Sequence, residues 1–226
     1  MLYVIIIIER SYDMKKGKNN KKWKFIALGL VSIVVIIIIY SIINSLLIKR
    51  SINTVMYGDE KINLNDTIKD VEIDFTSAGT TNINNSSDYK YIPSEEIGTL
   101  KIKNGYSWSI EKSDTLESHL SIMGFNRGDN DINITDGKIE YIRVKIFDGY
   151  DIEKDLKIKV FGNLTLGKSN RHDVVKKITQ IGNYKDLIIS EASEELYIKI
   201  SEKQYAKFIL NDDWILTEVR LSTYYI

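Results

Sequence analysis

The chain has 226 residues, with 31 basic and 31 acidic side chains and no cysteine. The absence of cysteine excludes disulfide bonds, so a domain of this chain must be stabilised by its hydrophobic core. Residues 1–50 carry a net charge of +7 and residues 51–226 a net charge of −7. The acidic charge of residues 51–226 argues against nucleic acid as a partner of that part of the chain.

The first thirteen residues precede a second candidate start. Residues 2–8 are apolar but too few to span a membrane. The codons of Glu9, Arg10 and Ser11 can contain a ribosome-binding sequence, and Met14 follows at a suitable distance. We therefore expect translation to begin at Met14. The alternative is that residues 1–13 belong to a short cytoplasmic tail.

Residues 25–48 contain no charged side chain and predict a transmembrane helix. Six lysines lie within residues 15–24, whereas only Lys49 and Arg50 follow the apolar segment directly. The positive-inside rule then predicts an uncleaved signal anchor, with residues 1–24 in the cytoplasm and the rest of the chain outside the cell. Frequent Ile, Lys, Asn and Tyr are typical of AT-rich codons and indicate a bacterial source.

The next part of the chain predicts a linker over residues 49–59 and a first α+β unit over residues 60–155. A helix is expected to begin at Ser113 or Asp114, since Leu116, Leu120 and Met123 have helical spacing before Gly124. We also expect a surface loop over 77–88, a hairpin turning at 104–105, a turn-rich loop over 129–137, and strands over 61–64, 138–147 and 152–160.

Residues 156–226 predict a second α+β unit. Ser169 is a candidate N-cap for a helix whose buried stripe contains Val174, Val175 and Ile178. Three strands are expected to follow, over residues 196–200, 205–210 and 214–225. A helix followed by an antiparallel meander defines an α+β fold.

This second unit resembles a known repeat that occurs outside the cytoplasm. The resemblance depends on three segments, residues 164–169 (LTLGKS), 173–175 (DVV) and the meander with 205–208 (YAKF) and 215–219 (ILTEV). They are similar to the repeat of the β-lactamase-inhibitor-protein-like family and of the SmpA/OmlA outer-membrane assembly lipoproteins. Gram-positive surface proteins also contain such repeats. The resemblance implies a unit that acts by binding. Residues 62–71 echo the start of the pattern, so a divergent tandem repeat is a further expectation.

The last strands contain more aromatic side chains than one buried face requires. Strand alternation directs Phe208 and Tyr205 to opposite faces, and likewise separates Trp214 and Tyr224 from Tyr225. Exposed aromatic side chains on a sheet are frequent binding anchors. The sequence therefore predicts a protein-binding surface with candidate residues Tyr205, Trp214, Tyr224 and Tyr225. The alternative is that a preceding domain covers this second face.

An acidic segment is the single candidate metal site. Asp129, Asp131, Asn133 and Glu140 match the oxygen ligands of a calcium-binding EF-hand loop, but Ile134 stands where the loop requires glycine. We favour a solvated acidic loop, and no cofactor is expected.

Catalytic motifs give little support for an enzyme. The only histidines are His119 and His172, too few to form a set of metal ligands. Ser109 and Lys112 match the Ser-x-x-Lys motif, but the Ser-Asp-Asn and Lys-Thr-Gly motifs that accompany it in hydrolases are missing. We therefore expect a non-catalytic, single-pass bacterial membrane protein that binds another extracytoplasmic protein. Two alternatives remain open: a structural component of an envelope assembly, or a hydrolase with an unrecognised site.

Overall fold

The computed structural model describes residues 20–71, 79–83, 90–91, 99–114, 118–147 and 157–226. The described helices are α1 (Asn20–Ile52), α2 (Arg171–Thr179) and α3 (Tyr184–Leu187), with 3-10 turns at Ile68–Asp70 and Ile134–Asp136. The chain divides into two units, Met1–Leu47 and Ile48–Ile226.

The first unit contains most of α1, which is a candidate membrane-spanning helix. Its segment Ile26–Ile43 has 18 residues and a mean hydropathy of 3.0, and none of this segment is buried within the protein. At about 1.5 Å per residue, 18 helical residues extend for roughly 27 Å, close to the thickness of a hydrocarbon core. The predicted apolar helix is confirmed.

The second unit is built on an antiparallel sheet of nine strands. In sheet order they are β12 (Ile188–Glu191), β13 (Glu195–Ser201), β14 (Gln204–Leu210), β15 (Leu216–Ser222), β9 (Tyr141–Ile146), β7 (Ser118–Phe125), β6 (Ser107–Asp114), β3 (Gly79–Ile83) and β4 (Lys90–Tyr91). Helix and antiparallel sheet together agree with the predicted α+β class.

Two smaller sheets complete the second unit. One contains four short antiparallel strands in the order β11 (Leu164–Thr165), β10 (Lys159–Val160), β1 (Thr54–Tyr57) and β2 (Glu60–Asn63). The other pairs β5 (Lys101–Ile102) with β8 (Ile132–Asn133). The predicted linker over 49–59 therefore includes the end of α1 and strand β1.

One face of the large sheet forms the core. Its buried side chains lie in cross-strand rows, one of which runs through Leu196, Phe208, Val219, Val144 and Leu120. Val174 and Ile178 of α2 and Phe161 belong to the same hydrophobic cluster. The ring of Phe161 meets that of Phe208 edge to face at 4.9 Å. The predicted stripe of α2 thus supplies the second layer of the core.

Three local predictions are wrong. The segment 118–125 is strand β7, because Ser118, Leu120 and Ile122 alternate into the core with a period of two. The described residues of the segment Leu116–Gly124 therefore do not form the expected helix. Strands β5 and β6 do not form the predicted hairpin at Asn104-Gly105, since each pairs with other strands. Asn170, not Ser169, caps α2: its side chain accepts a hydrogen bond from the amide of Asp173 at 3.1 Å.

The two predicted units share one sheet. Strand β15 pairs with β9 over five residues, from Glu218–Lys145 to Ser222–Tyr141, and β1 pairs with β10. The expected boundary at 155/156 and the predicted turn at 148–149 lie outside the described residues. Strand β3 occupies part of the predicted loop over 77–88.

Candidate functional site: the outer face of the large sheet

The outer face is the side of the large sheet that points away from the core. Cross-strand partners point to the same side of a sheet, so the register defines three rows of side chains. The middle row contains Tyr197, Lys207, Arg220, Arg143, Ser121 and Glu111. The two flanking rows contain Lys199, Tyr205, Ser222, Tyr141, Met123 and Ser109, and Glu195, Ile209, Glu218, Lys145 and His119.

The sequence directs these side chains outward by simple alternation. In β9, Ile142, Val144 and Ile146 are buried while Arg143 and Lys145 between them are partly exposed. None of the residues in the three rows, all of them described, belongs to the hydrophobic core cluster. The outer face is therefore a separate surface, rich in charge and tyrosine.

A buried carboxylate lies at the centre of the outer face. Glu218 Oε1 and Oε2 accept hydrogen bonds from Arg143 Nε at 2.8 Å and Nη2 at 3.0 Å, and Arg220 Nε also donates to Oε1. The Glu218 side chain is 4% exposed, whereas those of Arg143 and Arg220 are 34% and 29% exposed. Two half-buried guanidinium groups thus share one buried acid.

The ionisation of this cluster follows from its hydrogen bonds. Burial alone would raise the pKa of Glu218, but the hydrogen bonds and charges of Arg143 and Arg220 outweigh burial and hold that pKa below its ordinary value. The hydrogen bond to Glu218 raises the pKa of Arg143. Glu218 and Arg143 are therefore charged at neutral pH.

Further polar pairs lie on either side of this cluster. Lys207 Nζ lies 2.7 Å from Glu195 Oε1, and His119 Nε2 lies 3.8 Å from Glu111 Oε2. Burial lowers the pKa of His119, and the attraction of Glu111 does not offset it. His119 is on β7 and not on the helix that the sequence predicted, while His172 is on α2.

Two of the four predicted binding residues, Tyr205 and Tyr225, meet at one edge of the outer face. Their ring centroids are 6.0 Å apart, and both rings pack against Tyr197. Tyr197 is 4% exposed and its hydroxyl accepts a hydrogen bond from the Ile226 amide at 2.8 Å, whereas Tyr225 is 68% exposed. Tyr225 therefore presents its ring to solvent on a buried tyrosine support.

The third predicted residue, Tyr224, stacks on Tyr141 of the outer face, with ring centroids 6.5 Å apart. Tyr224 also lines a cavity of about 170 Å³ whose walls include Met123, Phe125, Arg127 and Glu140. The cavity is small but adjoins the row that contains Tyr205.

Trp214 lies apart from the other three predicted residues. It precedes β15, at the end of the β14–β15 hairpin remote from Tyr205, and has a left-handed φ of 64°. The Arg171 guanidinium lies 5.3 Å from the indole centroid, and the indole is 46% exposed. Trp214 packs at the start of α2 and does not extend the outer face.

The predicted metal residues lie in and beside an exposed loop. Asp131 Oδ1 accepts a hydrogen bond from the Asn104 amide at 3.1 Å, and Glu140 Oε2 pairs with Arg127 at 2.6 Å. Asp129 and Asn133 are exposed. Within the described ranges, no group of three acidic or histidine side chains is placed to hold a metal ion. Whether this loop binds calcium or is a solvated acidic loop, the favoured interpretation, stays untested.

A second cavity, of about 280 Å³, lies on the core side near β1 and β2. It is lined by Lys112 and Glu60, whose Nζ and Oε1 are 3.2 Å apart, and by Tyr57 and Ser118, whose oxygens are 2.7 Å apart. Ser109 and Lys112 point to opposite faces of β6. The Ser-x-x-Lys spacing therefore does not bring the two side chains together.

The fold and outer face define a chain with one apolar helix and an α+β domain carrying a charged, tyrosine-rich sheet surface. No family model, curated protein or solved structure matches it. Sequence reasoning identified Tyr205 but missed Arg143, Glu218 and Arg220. Their signal was present as charged residues alternating with buried aliphatic residues in β9 and β15.

Proposed function

We propose that this chain is a single-pass bacterial membrane protein that binds another protein outside the cytoplasm, without catalysis. The N-terminus lies in the cytoplasm, because six lysines precede the apolar segment 25–48 and only two basic residues follow it directly. The acidic domain is then extracellular, in a Gram-positive envelope. The partner is another extracytoplasmic protein.

The outer face is the observation that carries this proposal. A monomeric sheet domain needs one buried face, and α2 with the hairpins β1–β2 and β10–β11 supplies its cover. The opposite face combines arginines that are about one third exposed with Tyr205 and Tyr225, the residue types that contribute most to protein interfaces. We place the partner on this face, with Tyr225 as its most exposed aromatic anchor.

We also propose that the two halves of the domain are divergent copies of one repeat. Three backbone hydrogen bonds of the first half recur in the second. They are Asn65 N to Ile139 O at 2.8 Å, Ile139 N to Asp66 O at 2.8 Å and Ile68 N to Gly137 O at 3.2 Å. Their counterparts are Gly167 N to Leu216 O at 2.8 Å, Leu216 N to Ser169 O at 2.8 Å and Arg171 N to Trp214 O at 3.0 Å.

Backbone conformation and capping repeat in the same places. Asn65 and Gly167 have left-handed φ values of 76° and 78°. In each half, a carboxylate three residues beyond the N-cap accepts a hydrogen bond from the backbone amide of the N-cap residue, at 3.1 Å. In one half Asp70 accepts from Thr67, and in the other Asp173 accepts from Asn170. A twofold axis between the paired residues Arg143 and Arg220 would relate the two halves.

Site-specific photo-crosslinking in intact cells tests the binding function. A photoreactive phenylalanine analogue at Tyr205, on the outer face, should give a defined adduct with one protein. The matched control places the analogue at Lys176, an exposed position of α2, and should give none.

Two results decide between binding and its absence. An adduct at Tyr205 that is missing at Lys176 supports the proposal. Adducts at neither position, or equally at both, would contradict binding through this face.

A further inference from the structure

The outer face has a charge opposite to that of the domain that carries it. Its three rows contain five lysine or arginine side chains and three glutamates, a net charge of +2. Residues 51–226 together have a net charge of −7. The excess of basic groups is therefore a property of this surface and not of the domain as a whole.

The basic groups are concentrated at the centre of the face. Arg143 and Arg220 are direct cross-strand partners, an arrangement that is unfavourable for like charges on neighbouring strands. Glu218 binds both but can neutralise only one of them. Lys145 is the cross-strand partner of Glu218, so a further cation adjoins the same carboxylate.

Unused hydrogen-bond donors remain at this centre. Arg220 donates through Nε to Glu218, and within the described part of the chain its two terminal nitrogens donate to no protein acceptor. A guanidinium group offers paired donors that match the two oxygens of a carboxylate. Its side chain is 29% exposed, so a partner can reach it from the outer face.

From this charge complementarity we infer that the partner bound by the outer face presents aspartate or glutamate side chains, and that Arg220 with Arg143 and Lys145 receives them. This inference rests on the proposed binding function and adds the chemical class of the partner segment. Opposite charges at an interface fix its register and speed association more than they raise affinity. Binding should accordingly weaken as salt screens the charges.

Peptide crosslinking tests the inference on the full chain in detergent micelles. The probe is a fluorescent ten-residue peptide of alternating glutamate and serine with one photoreactive residue, compared with the same peptide containing glutamine for glutamate. Adducts are located by mass spectrometry, so those on β7, β9, β14 and β15 are counted separately from those on the lysines of residues 15–24. The acidic peptide should label the outer face at least about fivefold more than the glutamine peptide at low salt.

Two substitutions should change labelling in opposite directions. Arg220→Gln should lower labelling of the outer face by about fivefold, since it removes a receiving cation. Glu195→Gln should raise it by about twofold, because it releases Lys207 from its 2.7 Å ion pair. Lys185→Gln, an exposed position of α3, is the matched control and should change nothing.

The outcomes separate this inference from the binding function. Equal labelling by both peptides, or a loss with Lys185→Gln as large as with Arg220→Gln, would overturn the acidic partner. If Tyr205 still forms its adduct in cells in that case, the binding function stands without the inference. Unfolding of Arg220→Gln does not confuse the test, since the gain expected for Glu195→Gln cannot result from lost structure.

Discussion

Gly124 lies against the indole of Trp108, its cross-strand partner on β6. A Cβ atom at Gly124 would be 2.6 Å from Trp108 Cζ2 and 2.1 Å from the carbonyl oxygen of Lys138. Neither neighbour can move freely, because one is a ring that is 1% exposed and the other is backbone. Gly124→Ala should therefore lower the free energy of unfolding by about 3 kcal/mol or more, measured by urea denaturation in detergent.

Gly128→Ala is the matched control for this prediction. Its added methyl group would meet only the side-chain oxygen of Asn126, at 3.3 Å. The expected change is within about 0.5 kcal/mol. Equal stability of the two variants would show that the indole does not pack against Gly124 as described.

Glu218→Gln should destabilise the domain. The substitution keeps the shape of the side chain but leaves Arg143 and Arg220 without a compensating charge. Because both arginines are about one third exposed, solvent screens part of the loss, and we expect about 2 kcal/mol. Urea denaturation at pH 7 measures it.

Glu195→Gln provides the comparison for Glu218. Its side chain is 35% exposed and, among the described residues, pairs with Lys207, so its loss should cost less than about 0.5 kcal/mol. If Glu218→Gln lowers the free energy of unfolding by no more than Glu195→Gln does, the buried carboxylate of Glu218 does not stabilise the domain as described.

His119 should make the stability fall in mildly acidic solution. Burial lowers the folded-state pKa of His119 below the ordinary 6.5, so the unfolded chain binds a proton before the folded one. Stability is then intact above pH 6.5 and declines as the pH falls toward the folded-state pKa. His119→Gln should reduce the difference in urea midpoint between pH 7.5 and pH 5.5.

The exposed His172 serves as the control for this pH dependence. His172→Gln should retain the wild-type difference between the two pH values. If His119→Gln also retains it, burial of His119 does not govern the acid response.

The left-handed conformation at Asn65 predicts a selective response to substitution. Its φ of 76° is accessible to glycine and asparagine but strained for alanine. Asn65→Ala should cost about 1 kcal/mol, as should Gly167→Ala, where φ is 78°, whereas Asn65→Gly should be close to neutral. Thermal unfolding of the three variants measures these costs. An unchanged stability of Asn65→Ala would argue against a strained left-handed conformation at residue 65.

The proposed topology predicts which introduced cysteines react with an impermeant thiol reagent. The chain has no native cysteine, so each label reports one position. A cysteine at Asn183 should react in intact cells, and one at Asn19 only after lysis. The reverse pattern would place the domain in the cytoplasm and remove the extracellular partner.

Local periodicity was sufficient for much of the fold. Strands β9, β13, β14 and β15 and helix α2 follow from alternation or from apolar stripes at helical spacing. Strand β7 was mistaken for a helix because Ser118 and Gly124 occupy core-facing positions. Because Ser118 is polar and Gly124 has no side chain, the alternation of apolar residues expected of a strand was hidden. Leu120 and Met123 then matched the spacing of a helix more clearly than that of a strand.

The arrangement of the site was less predictable than its parts. Alternation placed Tyr205 and Phe208 on opposite faces, and the structure agrees. The meeting of Arg143 and Glu218 depends on pairing between strands 75 residues apart, which no local pattern encodes. For the same reason Trp214 was grouped with Tyr224 and Tyr225, although a turn and the strand β15 separate them.

The pairing of β9 with β15 also sets the order in which this domain can assemble. Until β15 is made and reaches it, β9 has an unpaired edge on which another strand can pair. Contacts of such sequence separation form slowly, which leaves a partly folded sheet able to pair with another chain. Any cell that makes this domain must therefore keep an incomplete sheet from pairing with other chains until β15 has joined β9.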